Sequence, residues 1–108
     1  MRSIICRFES VEEFFAHLSP TRDLAFVAKC DMTLGQTATI TVMVSSLRER
    51  VQLDVNVVER TAVAMDYVGE ESTRYWSYRV RPCDHDAVWL NAFVSKLKTM
   101  TSVSRVAA

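Results

Sequence analysis

With 108 residues, 49% of them hydrophobic and 24% charged, the chain has the length and composition of one globular domain around a single core. Thirteen basic residues offset thirteen acidic ones, and a formal charge of zero argues against a nucleic-acid binder, which needs a basic face to neutralise phosphates. No apolar run approaches the roughly 20 residues of a membrane helix. Met1-Arg2-Ser3-Ile4-Ile5-Cys6-Arg7 meets a charge too early for a secretion signal, so a cytoplasmic protein with three reduced cysteines and no membrane insertion is expected.

In chain order, residues 3–8 predict a short strand with Ile4, Cys6 and Phe8 on one side. Ser10-Val11-Glu12-Glu13 is a capping box that opens a helix with Val11, Phe14, Phe15 and Leu18 on one face, ended by Pro20. Residues 24–29 read as a second strand, with Leu24, Phe26 and Ala28 opposed to Ala25, Val27 and Lys29. A turn at 31–35 follows, in which Gly35 supplies the backbone freedom. Strand 37–44 turns Ile40, Val42 and Val44 inward and Thr39 and Thr41 outward. After a polar connection at 45–49 comes the clearest alternation in the chain: Val51, Leu53, Val55 and Val57 against Gln52, Asp54 and Asn56, a half-buried strand over 50–58.

Glu59-Arg60 then predicts a tight reversal into a strand over 61–68, and 69–72 a hydrophilic loop. The last strand, 74–81, puts Trp76, Tyr78 and Val80 on one side and Tyr75, Ser77, Arg79 and Arg81 on the other. Pro82 ends it. Asp84 is placed as the N-cap of a helix with Asp86 in its first turn. That helix runs to about Met100 with Leu90, Phe93, Val94 and Leu97 buried, Trp89 and Met100 at the margins, and Lys96 and Lys98 suited to its C-terminal dipole. The single domain is expected to cover 1–100, with 101–108 a flexible tail.

No group of residues converges on catalysis: a glycine-rich phosphate loop, a nucleophile elbow and a Ser/His/Asp order are all missing. Cys83-Asp84-His85-Asp86 lacks a second Cys/His pair at zinc-like spacing and reads as a strand-to-helix cap, so no metal and no catalytic residue is assigned. His17 reads as a surface residue at a helix end. Cys6 and Cys30 read as core packing. Ten arginines against three lysines favour planar contacts to carboxylates or phosphates. Arg48, Arg50, Arg79, Arg81 and Trp76 are the candidates for a partner interface, since Arg and Trp concentrate at hot spots.

The run Ala25-Phe26-Val27, then Leu34-Gly35, Thr39 to Val44 and Val51 to Val58, with Tyr78-Arg79-Val80-Arg81-Pro82 and the helix from Asp84, resembles a PilZ domain over about residues 3–98. The resemblance implies a mainly-β fold with two helices: a six-stranded antiparallel β-barrel with the C-terminal helix packed on it. Typical members bind cyclic di-GMP through Arg-x-x-x-Arg and Asp/Asn-x-Ser-x-x-Gly motifs, in which arginines hold phosphates and stack on guanine. Here Arg2 and Arg7 are one residue too far apart and fall on opposite faces of a strand. Ser19, Thr21 and Leu24 occupy the acidic, serine and glycine slots, which removes an acceptor and adds bulk.

The departures resemble those of the degenerate single-domain branch of the family, associated with type IV pili, whose members act by binding other proteins. The implied function is a non-catalytic regulatory adaptor in bacterial motility, pilus or signalling control, monomeric or homodimeric, without a cofactor. Two alternatives stay open. One is a cyclic di-GMP receptor using Arg2, Arg7, Arg22 and Thr21; the other is an unrelated OB- or SH3-like binding barrel.

Overall fold

The computed structural model describes residues 2–68 and 71–107, with side chains described at 2–63 and 75–101. Its elements are β1 (Arg2–Phe8), α1 (Val11–Ala16), β2 (Leu24–Ala28), β3 (Thr37–Val44), a 3-10 turn at Ser45–Leu47, β4 (Glu49–Val68), β5 (Glu71–Pro82) and α2 (Asp84–Ala107). The five strands form one sheet in the order β1-β3-β4-β5-β2, curled into a half-barrel.

The inward positions are those that the alternation marks. Cys6 and Phe8 of β1, Leu24 and Phe26 of β2, Ile40, Val42 and Val44 of β3, Leu53, Val55 and Val57 of β4, and Tyr78 and Val80 of β5 are buried. Each large aliphatic or aromatic side chain removed from water in this way contributes about 1.5–3 kcal/mol. α1 and α2 close the core. Phe14 meets Phe8 edge-on at 5.5 Å and Phe93 at 5.7 Å, so one ring joins β1, α1 and α2. Leu90, Phe93, Val94 and Leu97 form the buried stripe of α2, which packs against β4 and β5. Tyr78 is buried with its hydroxyl accepting from the Met32 N–H at 2.8 Å and donating to the Cys30 carbonyl, which ties the 30–35 turn to β5. Gly35 has φ +81°, and its N–H donates to the Val57 carbonyl at 2.8 Å.

Two features of the expected barrel are corrected. Among the described residues there are five strands rather than six, and β1 pairs with β3 in parallel; the other three pairs are antiparallel. The chain does not reverse at Glu59-Arg60. β4 runs through that point, and the register with β5 slips between Val57 and Glu59, so Val58 is a bulge. The bulge has a physical reason. Without it Glu59 would face the core opposite Tyr78; with it Glu59 faces outward opposite Arg79, and their side chains pair at 2.9 Å. Arg60 takes the inward parity instead and stacks over the Trp76 ring at 3.9 Å. Neither Glu59 nor Arg60 offers the backbone freedom of a two-residue hairpin.

Three smaller expectations also change. β5 begins at Glu71, so part of the expected 69–72 loop is strand; Gly69 and Glu70 lie outside the described residues. The first intrahelical bond of α2 runs from the Ala87 N–H to the Cys83 carbonyl, which makes Cys83 the N-cap and puts Asp84 inside the first turn. α2 continues to Ala107, through most of the segment expected as a tail, so Lys96 and Lys98 sit mid-helix, and Lys96 pairs with Glu49 at 2.9 Å. No helix among the described residues is long and apolar enough to cross a membrane.

Candidate functional site

β1 and β2 are the two edges of the sheet, and the half-barrel leaves a groove between them. α1 closes one end of that groove, because it is the connection from β1 to β2. Its capping box holds: the Ser10 hydroxyl accepts from the Glu13 N–H at 3.1 Å. The Glu13 carboxylate reaches back to the Glu9 N–H, one residue before the cap, at 2.8 Å. His17 ends α1, and its Nδ1 lies 3.0 Å from the Ala25 carbonyl while the Ala25 N–H donates to the His17 carbonyl, so the start of the β2 edge is satisfied locally. Beyond it, Val27 on β2 and Ile5 on β1 flank the groove, each 60% exposed. An exposed aliphatic residue beside an unpaired strand edge is what protein sheets ordinarily avoid, because such an edge recruits further strands.

The outer face beside β1 is basic. Register pairs Arg7 with Met43 and Met43 with Arg50, so the two arginines flank Met43 on one face. Arg48 joins them from the end of the 3-10 turn, where it holds φ +54°, and lines a hollow with Met43 and Arg50. Arg7, Arg48 and Arg50 are exposed, and none forms an ion pair among the described residues. Glu49, between Arg48 and Arg50 in sequence, is engaged by Lys96.

Arg79 and Arg81, also expected at an interface, are held by the chain itself. Asp23, just before β2, has a fully buried side chain; its Oδ2 accepts from Arg79 at 2.8 Å and its Oδ1 from Arg81 Nε at 2.9 Å. The Arg81 hydrogen bond holds the Asp23 carboxyl below the usual carboxylate range against the opposing effect of burial, with the charges of Arg81 and Arg79 adding to it. Asp23 carries no periodic or motif signal, and its partners lie 56 and 58 residues away in sequence.

The four residues expected to bind cyclic di-GMP are not gathered in one pocket. Arg2 and Arg7 occupy opposite faces of β1, and Arg7 alone of the four lines the groove. The Thr21 hydroxyl lies 2.9 Å from that of Ser19, and Ser19 also accepts from the Asp23 N–H, so this segment forms a local turn. Arg22 has φ +68° and donates from Nε to Asn91 on α2 at 3.0 Å. Trp76 packs against the core with Arg60 over its ring. Trp89, placed at the helix margin by sequence, is 60% exposed on α2, and Val88 beside it is exposed as well.

Asp54, His85 and Asp86 bring potential ligand atoms within 4.8 Å of one another. The Asp86 carboxylate accepts the Asp54 N–H at 2.6 Å and the Asp54 carbonyl accepts from the Cys83 N–H, which fastens the start of α2 to β4. Asp54 Oδ1 accepts from the Thr39 hydroxyl of β3 at 3.0 Å. All three cysteines are free thiols. Burial pushes the Cys6 thiol up to about 12, with Cys30 adding to the effect. Burial first, then Asp54, Asp86 and Asp84, raises Cys83, and neither is poised as a nucleophile. Neither protein-family models nor curated proteins yield a match to this chain.

Proposed function

We propose that this chain is a non-catalytic, PilZ-like adaptor that binds another protein in bacterial motility, type IV pilus or signalling control, acting in the cytoplasm as a monomer or homodimer. On this reading the half-barrel is the PilZ-like barrel, and its open side is where the partner docks. The observation that carries the reading is the groove between β1 and β2: two unpaired strand edges with Ile5 and Val27 exposed beside them. Main-chain hydrogen bonds from such an edge supply affinity to an extended partner, and apolar flanks supply the buried area. The dispersed positions of Arg2, Arg7, Arg22 and Thr21 support the adaptor over the cyclic di-GMP receptor.

Titration calorimetry of the folded protein with cyclic di-GMP separates the two. The adaptor gives no heat of binding. Saturating heat at micromolar affinity, about −8 kcal/mol, would restore the receptor and direct attention to Arg7 and Arg22.

A further inference from the structure

Away from the groove, a histidine and two carboxylates from two elements converge where α2 starts beside β4. His85 Nε2 lies 3.4 Å from Asp54 Oδ2 and 3.5 Å from Asp86 Oδ2. The hydrogen bonds around the trio set this arrangement. Thr39 donates to Asp54 Oδ1, which leaves Oδ2 turned toward the imidazole. The Asp54 N–H fixes the Asp86 carboxylate, and the Cys83 N–H fixes the Asp54 carbonyl, so the first turn of α2 is registered against Asp54 from both sides. Among the described residues, no lysine or arginine forms an ion pair with Asp54, Asp84 or Asp86. The dipole of α2 suits Asp84 and Asp86 at its first turn. It accounts neither for an imidazole nitrogen facing two carboxylates nor for Asp54, which comes from 31 residues away in sequence.

We infer that Asp54, His85 and Asp86 bind a divalent transition-metal ion of the zinc class, with water as the fourth ligand. Ligand atoms about 2.1 Å from zinc at tetrahedral angles stand about 3.4 Å apart. The two distances from His85 match that edge as they stand. The third edge, between the two carboxylates, closes by rotation of side chains whose ligand atoms are already within 4.8 Å, and a cation between them removes their repulsion. Thr39 and the two backbone N–H groups act as the outer shell that orients such ligands. The imidazole selects zinc and its transition-metal neighbours over magnesium and calcium, which take oxygen ligands. Cys83-Asp84-His85-Asp86 looks one ligand short in sequence because the remaining one is on β4. None of the three residues lines the groove, so the inference stands apart from the adaptor reading. A bound ion joins β4 to α2, the helix that closes the core, and stabilises the fold by mass action.

The test uses the whole chain after treatment with a chelator. Zinc is titrated against a chromophoric indicator, and cobalt(II) is followed by its visible spectrum. The chain should take up one zinc ion at micromolar affinity, give the strong bands of tetrahedral cobalt, and unfold at a higher temperature with zinc but not with magnesium. His85→Gln should weaken zinc binding at least about tenfold and abolish the thermal shift. The His85 side chain is 67% exposed, so this loss does not come from unfolding. Asp54→Asn should weaken zinc to a similar degree. Cys83→Ser, in which serine still caps the helix, and His17→Gln should bind zinc as the wild type does.

No zinc uptake would overturn the inference, as would uptake that survives His85→Gln unchanged. Loss of uptake in Cys83→Ser or His17→Gln would place the ion elsewhere and overturn it too. Equal affinity for zinc and magnesium would reduce the trio to an acidic surface and likewise overturn it.

Discussion

Asp23 holds Arg79 and Arg81 with one buried carboxylate, and its energetics follow from that placement. Removing one partner of a wholly buried ion pair costs about 3–5 kcal/mol. Here the arginines are 41% and 58% exposed, so water screens them, and Asp23→Asn should cost about 1–2 kcal/mol at neutral pH. Its folded pKa is depressed, so the stabilisation is complete above the unfolded carboxylate value of about 4 and is lost as pH falls through the folded value. Urea titrations of wild type and Asp23→Asn should therefore differ at neutral pH and converge in acid; curves that stay parallel at low pH would contradict the assignment. Cys6 offers a second check. A buried thiol pushed up to about 12 should resist iodoacetamide at about pH 8 in the folded protein and react once urea unfolds it. Rapid alkylation of the folded chain would mean that β1 does not seal the core at that point.

Among the elements, α1 depends most on its surroundings, because six residues cannot hold a helix alone. Phe14 fixes it between β1 and α2, so Phe14→Ala should cost about 3–5 kcal/mol in chemical denaturation. Trp89→Ala, on the exposed face of α2, should change stability by no more than about 0.5 kcal/mol. The strand faces were legible in the sequence wherever period-two alternation was unbroken: Ile40, Val42, Val44, Leu53, Val55 and Val57 all point inward as the pattern predicts. Where alternation broke at Glu59-Arg60, sequence alone reads a turn. The actual cause, a bulge that turns Glu59 toward Arg79, lies across the sheet and leaves no local trace. The parallel pairing of β1 with β3 was hidden for the same reason. It is a choice between distant strands that present the same alternation.

For the molecule as a whole, function resides in what the sheet leaves open. Arg48 and Arg50 were legible as basic spots, and Ile5 and Val27 could be placed on outward parities. That Arg7 joins the two arginines, and that Ile5 and Val27 share one groove, emerges only from strand order. Arg79 and Arg81 looked equivalent to Arg48 and Arg50 in sequence, and Asp23 is what separates them. Beyond Ala62↔Trp76, β4 and β5 pair only with each other among the described residues, and so extend past the half-barrel as a two-stranded arm.

The most direct test of the central claim is site-specific photocrosslinking in the organism's own cells, with a benzophenone amino acid placed in turn at Ile5, Val27 and, as control, Ser95 on α2. The account predicts that Ile5 and Val27 capture the same discrete protein and that Ser95 does not. Capture of nothing at the two groove positions, or of the same protein equally at all three, would contradict the claim that the open edge between β1 and β2 is the working surface.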